Sequence, residues 1–398
     1  MTKKSYIIKK SSIAYCLFTV ILCYIISPWF FEKKLLFNEL LASAGFAILI
    51  YRRGRIGRDP LSFYISALLF WGMVHAIVSL FRMDSFYYYL RNLVIIYSVL
   101  TFFIGYYCLK YLDGFIARIR KFLRVYIGVF LFIPQSKFIF ERFGMAMLFP
   151  ALFKDPKRKW VPYLLIVMNL IYGVTYDSLT AWLLAAFYFL LFISPGYKFF
   201  CQVFFLMVAV FAAVFIYLIP NLNIIRLHYN PYDNKAIWEV IRSHPILSID
   251  GNSTWRMVLW KQILVDDFPR NIFGLGFGTP ALKYYPVEDY TKLDTLPYLL
   301  GSHNSYVYLF GRLGIVYLLL IVPIYLCIFR EYFYFKSYYS SNRQILLFWS
   351  FFAITIIASF NPTLESPIYA GAYWLLMGFI ARGIHNRRLT VQNSKQAP

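Results

Sequence analysis

Apolar stretches long enough to cross a bilayer follow one another along this chain, and one long polar interruption, residues 220–302, breaks the series. A hydrocarbon core of about 30 Å takes about 20 mainly apolar residues per helix. Such stretches, several of them short, lie near 12–30, 35–51, 61–81, 90–109, 122–135, 138–153, 160–176, 179–194, 198–219, 304–329, 345–361 and 366–381. None alternates with a period of two, which speaks against a barrel. Helices satisfy their own backbone groups, as lipid requires. The expected fold is all-α, a polytopic transmembrane helical bundle of about 12 spans with one large, partly helical periplasmic loop. The expected organisation is helices 1 to 9 in 1–219, the loop in 220–302, helices 10 to 12 in 303–381, and a basic cytoplasmic tail in 382–398. Residues 122–153 hold Pro134, Lys137, Glu141, Arg142 and Pro150; they read as two short helices, or as one long helix and a re-entrant piece.

Charge decides orientation. The net charge is +22, with 40 Lys and Arg, and 25 of these fall in alternate inter-span segments. Examples are Arg52, Arg53, Arg55 and Arg58, then Lys154, Lys157, Arg158 and Lys159, then Arg382, Arg387 and Arg388. That is the positive-inside pattern of a polytopic protein, with both termini cytoplasmic. The long loop carries eight basic and eight acidic residues, so it is near neutral and lies outside. A nucleic-acid partner would need the basic residues gathered on one face; none is expected. The lipid bilayer is the expected surroundings.

Cys16, Cys23, Cys108, Cys201 and Cys327 lie in or beside spans, which leaves no disulfide framework for the loop. His75, His228, His244, His303 and His385 show no metal-ligand spacing. No metal and no cofactor is expected. Within the loop, Asn230 to Asn234 is a turn cluster. Trp255, Val258, Leu259 and Ile263 are spaced for a helix over 253–266, with Ser253 or Thr254 as its N-cap. Gly274-Leu275-Gly276-Phe277-Gly278-Thr279 follows no strand of a βαβ unit, so it is no dinucleotide fingerprint; such glycines let backbone pass close to a ligand or a helix.

Four features, in order around the loop, carry a resemblance. They are Arg256 between Trp255 and Trp260; the run Asn271 to Thr279; His303-Asn304-Ser305-Tyr306 with Arg312-Leu313-Gly314; and Asn361-Pro362-Thr363-Leu364-Glu365-Ser366-Pro367 with Tyr373 to Gly378. In these the chain resembles the O-antigen ligase and O-antigen polymerase superfamily of membrane glycosyltransferases, over residues 170–381 in motifs. The resemblance implies a bacterial inner-membrane enzyme with a periplasmic site. It takes a glycan from undecaprenyl diphosphate and passes it to an acceptor sugar hydroxyl without a metal. The acceptor is lipid A–core in a ligase and another lipid-linked glycan in a polymerase. The single large loop favours the ligase; an O-antigen or exopolysaccharide polymerase is the alternative. The resemblance implies His303 and Arg256 as catalytic residues, and the donor and acceptor sites draw on Arg312, Arg242, Arg226, Asn304 and Glu365. Relatives carry a Ser-Arg pair where this chain has Ser178-Leu179. The missing phosphate contact then falls to Arg226, Arg242, Arg91 or Arg312.

The chemistry of the residues agrees with those roles. A diphosphate leaving group needs charge stabilisation more than protonation, and arginine offers a permanent charge in a paired donor fork. The acceptor hydroxyl needs a base, and a histidine of pKa about 6.5 is neutral and ready near pH 7. Each residue also has a plainer reading. His303 caps the tenth span, Arg256 lies on a solvated helix face, Arg312 snorkels to the interface, and Glu365 complements a helix N-terminus. Arg312 follows His303 by nine residues on one expected helix, which turns the two side chains to opposite sides. Glu39, His75 and His228 read as structural. Two other classes compete. A polysaccharide or lipid transporter would carry charges at mid-membrane, where only Glu39 stands clearly, and an acyltransferase would carry His-Asp pairs, which are not found.

Overall fold

A computed structural model describes residues 37–51, 60–112, 114, 116–117, 120, 157–176, 179–210, 213, 260, 262–279, 304–341, 344–361 and 363–396. All regular structure among the described residues is helical. In chain order the helices are α1 Phe37–Tyr51, α2 Pro60–Leu80, α3 Phe86–Tyr111, α4 Trp160–Tyr176, α5 Leu179–Ile193, α6 Tyr197–Val210, α7 Ser305–Leu313, α8 Ile315–Ser341, α9 Ile345–Ala358 and α10 Pro367–Gln396. The expected spans near 12–30, 122–135 and 138–153 lie outside the described residues, as does most of the polar loop.

Helices α2, α3 and α8 are long and apolar enough to cross a membrane, and α1, α4, α5, α6 and α9 are shorter apolar helices. Burial separates their jobs. The most apolar window of α3 is 72% buried, against 28% in α2 and 39% in α8. So α3 is a core helix, while α2 and α8 present Phe63, Phe70, Ile77, Leu319 and Val322 outward. Large apolar side chains exposed along apolar helices suit a hydrocarbon surrounding.

Helix α3 packs along α10, and α1 packs against both; α4 pairs with α5, α2 with α8, and α5 with α9. The α3–α10 approach is close because small residues face each other. A side chain at Gly105 would meet the Leu375 carbonyl, and one at Gly378 would meet that of Phe102. Such backbone proximity is how helices associate when lipid removes the hydrophobic drive between them. Polar threads cross the same interfaces. Thr101 Oγ1 donates to Gly371 O at 2.8 Å, and Tyr188 OH to Trp349 O at 2.9 Å. Glu39, the acid of the second expected span, accepts from Tyr97 OH at 2.6 Å. His75 packs edge-on against Trp71, with ring centroids 4.8 Å apart.

Two boundaries differ from the sequence expectation. The tenth span, read as 304–329, is broken at Gly314 into α7 and α8. Gly314 holds φ 73°, a left-handed value that favours glycine, and a Cβ there would strike the Ile272 carbonyl. The helix stops where another segment lies against it. Arg312 therefore belongs to a short helix before the long one. At the other end, α10 runs to Gln396, through most of what reads as a tail.

Candidate functional site

Two of the motif segments, 271–279 and 304–314, meet at the break between α7 and α8. The run Gly274 to Thr279 lies across the C-terminal end of α7. Leu275 N donates to Gly311 O at 2.8 Å and Gly276 N to Arg312 O at 3.0 Å. These bonds satisfy carbonyls that a helix end leaves without intrahelical donors. Arg312 secures the same run from the side. Its Nη1 donates to Gly276 O at 3.1 Å and to Thr279 O at 2.7 Å, and its guanidinium lies 5.2 Å from the Tyr308 ring centroid.

The turn after α2 closes the far side of the glycine run. Ser79 Oγ accepts from Phe277 N at 2.8 Å. Asp84 N and Ser85 N both donate to Gly278 O at 3.1 Å. Asn92 completes the tie: its Oδ1 accepts from Gly278 N at 3.0 Å, and its Nδ2 donates to Tyr308 OH at 2.8 Å. Trp71 Nε1 donates to Leu313 O at 2.7 Å. Sequence reading missed Asn92, Ser79 and Trp71; the one available signal was an amide inside an apolar span.

The N-terminal end of α7 holds the second half of the site. Asn304 is its N-cap, and its side chain accepts from Tyr306 N at 3.0 Å and Val307 N at 3.1 Å. Ser305 Oγ is the knot between this end and the 361–366 turn. It accepts from Thr363 N at 2.8 Å and Leu364 N at 3.0 Å, and it makes a short hydrogen bond to Glu365 Oε2. Glu365 lies in that turn between α9 and α10 and is 9% exposed. Burial pushes its carboxyl up to about 8, against hydrogen bonds from Ser305 and from backbone N–H groups of its own turn. Below the junction Tyr306 OH, Tyr325 OH and Tyr373 OH form a chain at 2.5 and 2.6 Å, linking α7, α8 and α10.

Of the expected site residues, the structure brings Asn304, Arg312 and Glu365 to the two ends of one nine-residue helix and the turn beside it. His303, Arg256, Arg242 and Arg226 lie outside the described residues. Helix α7 starts two residues after His303. Arg91 is exposed on α3, with Nη1 3.3 Å from Tyr87 OH. Of the expected loop helix over 253–266, the described part from Gln262 to Asp266 is a π-helical turn. It is pinned by Asn271, whose Nδ2 donates to Ile263 O at 2.6 Å. Among the described residues no three His, Cys, Asp or Glu side chains group to hold a metal. The chemistry present is a buried acid, hydroxyls and a guanidinium. In comparisons with known proteins, no protein-family model, curated protein or solved structure matches this chain.

Proposed function

We propose that this protein is a metal-independent membrane glycosyltransferase of the O-antigen ligase kind. It moves a glycan from undecaprenyl diphosphate to a sugar hydroxyl of lipid A–core, on the periplasmic face of a bacterial inner membrane. One observation carries the reading. Three of the four motif segments that carry the resemblance meet on one helix: 271–279 and 361–366 contact 304–314 at its C-terminal and N-terminal ends. A shared element that joins three segments of one motif set supports a shared role for them.

In this reading the loop arginines, Arg256 first, bind the diphosphate and stabilise the charge that develops as it leaves. His303 takes the proton of the attacking hydroxyl. Both stand next to the convergence in sequence: His303 directly precedes Asn304, and Arg256 precedes the π turn. Arg312 enters as the residue that holds the glycine run in place.

Deleting the gene and running the extracted lipopolysaccharide on a gel tests this. Loss of all long chains, with lipid-linked polymer accumulating, is the expected result. A core bearing one repeat unit would instead make the protein a polymerase. Unchanged lipopolysaccharide and other cell-surface glycans would overturn the transferase reading.

A further inference from the structure

One segment of the polar stretch keeps polar side chains in and apolar ones out. Between Trp260 and Phe273 the buried side chains include Trp260, Ile263, Asp267 and Asn271, spaced as one face of a helix. Two of these four are polar, with Asp267 4% and Asn271 1% exposed. Asn271 is tied inward, its Nδ2 donating to Ile263 O at 2.6 Å and to Leu264 O at 3.2 Å. The opposite face carries Val265, Phe268, Pro269, Arg270 and Phe273, all exposed. Phe268 is 65% and Phe273 76% exposed. A buried polar group or an exposed large apolar one is the informative departure from ordinary burial, and this segment has both. A segment standing in water would turn Phe268 and Phe273 inward and Asp267 outward.

The apolar face continues a surface that already suits hydrocarbon. The helical turn Arg270–Phe273 packs against α7 and α8. A Cβ at Gly314 would meet the carbonyl carbon of Phe273, so Phe273 borders the start of α8. From there Ile315, Leu319 and Val322 run on along α8, all exposed. Across the glycine run lies the turn between α2 and α3, bonded to Gly278 O through Asp84 N and Ser85 N. It exposes Phe81, Phe86 and Tyr87. Aromatic side chains along the rim of a bundle mark the boundary between acyl chains and headgroups. Arg82, Arg91 and Arg270 stand exposed among them, against one described exposed acid, Asp84. Arginines in such places lay their stems on apolar surface and hold the charge at the headgroups.

We infer that residues 262–273 form a membrane-anchoring foot, in which Val265, Phe268 and Phe273 enter the leaflet at this end of the bundle and Arg270 meets its lipid phosphates. The partner is the phospholipid of the surrounding bilayer, because the apolar face runs on into the outward face of α8. A short segment with an apolar side and a cationic flank lies in the plane of the interface. The inference rests on the membrane setting and not on the transferase reading. It places the junction of Arg312 with the glycine run at the boundary of acyl chains and headgroups. A lipid-linked diphosphate lies at the same depth.

The test uses the full chain in nanodiscs of phosphatidylethanolamine and phosphatidylglycerol. Val265→Cys, Phe268→Cys and Phe273→Cys, one at a time, carry a nitroxide label, with the five native cysteines changed to alanine. Oxygen concentrates in the bilayer and a nickel chelate stays in water, so the ratio of their collisions with the label reads depth. All three positions should match Leu319→Cys on the outward face of α8. Their ratio should stand severalfold above that of Ser394→Cys, exposed near the end of α10. Arg270→Cys should fall between the two references. A ratio at Phe268 and Phe273 equal to that of Ser394→Cys puts the face in water and overturns the foot. Weak collision with both reagents means that protein covers the face, either the rest of the polar stretch or a second copy, and overturns it too. The unaltered chain gives an independent check. A phospholipid with a diazirine high in its acyl chain should leave adducts between Val265 and Phe273 after illumination, read by mass spectrometry. Adducts on α8 with none in that segment overturn the inference.

Discussion

Helix α8 carries a buried carboxylate near its far end and leads away from one at its near end, and the two are treated in opposite ways. At the far end Glu331 forms a two-pronged ion pair with Arg387 of α10, with Nη2–Oε2 at 3.0 Å. Tyr339 OH adds a hydrogen bond to the same carboxylate at 2.5 Å. Arg387 also lies 3.4 Å over the Phe335 ring, at the one residue of α8 with non-helical backbone angles. At the near end, among the described residues, Arg312 and Glu365 form no ion pair with each other. Arg312 turns to carbonyl oxygens, and Glu365 turns to a serine. A matched ion pair holds two helices in one register. An acid with no opposite charge keeps its proton and can exchange it. The far end thus reads as a lock, and the near end as an acid held by hydrogen bonds rather than by an ion pair.

The largest expected effect is at the lock. Glu331→Ala strands Arg387 inside the bundle and should cost about 3–5 kcal/mol. A double change, Glu331→Leu with Arg387→Met, should recover most of it, because a matched apolar pair removes both charges. Thermal unfolding in nanodiscs checks both, and a single variant as stable as the wild type would show that the pair does not hold α8 to α10.

At the near end, Arg312→Ala should cost about 3 kcal/mol, since each hydrogen bond to a charged group is worth about 1.5–3 kcal/mol. Its effect should be local. The glycine run should loosen, seen as faster thiol labelling of a cysteine placed at Thr279, while the α8–α10 contact stays protected. Labelling unchanged from the wild-type background would mean that Arg312 is not what holds the run, and would free it for the phosphate role that the sequence suggests.

Asn304→Ala removes two accepted backbone N–H groups and should cost about 1 kcal/mol. Asn304→Asp should restore most of it. If the alanine variant unfolds at the wild-type temperature, the start of α7 is held by Ser305 alone.

The smallest effect at neutral pH, and the most diagnostic, is Glu365→Gln. Its folded carboxyl titrates near 8 rather than near the ordinary 4.5, so the folded state binds the proton more tightly. That contribution is complete below about 4.5 and is lost as pH rises toward about 8. The wild type should therefore lose stability across this window, and the glutamine variant should not. Equal slopes in the two proteins would place an ordinary, ionised carboxylate at Glu365.

Much of this molecule was legible along the chain. The span read at 160–176 is helix Trp160–Tyr176, and the one read at 61–81 is Pro60–Leu80. Apolar length is a local property set against a fixed membrane thickness, so it survives without knowledge of neighbours. The glycine run was also readable as a place of close backbone approach, which its contact with Arg312 O and Gly314 bears out.

What the tertiary structure alone decided is partnership. Ser305 and Glu365 stand 60 residues apart, and Trp71 and Leu313 stand 242 apart. No periodicity links them. Arg312 reads in sequence as a cation available for phosphate, yet packing turns it to the glycine run. Glu365 reads as a site residue or as a charge at a helix N-terminus, yet packing buries it beside Ser305 and raises its carboxyl to about 8. Helices follow from composition because their hydrogen bonds are local. The state of a buried charge depends on which distant groups the packed helices bring within about 3 Å of it.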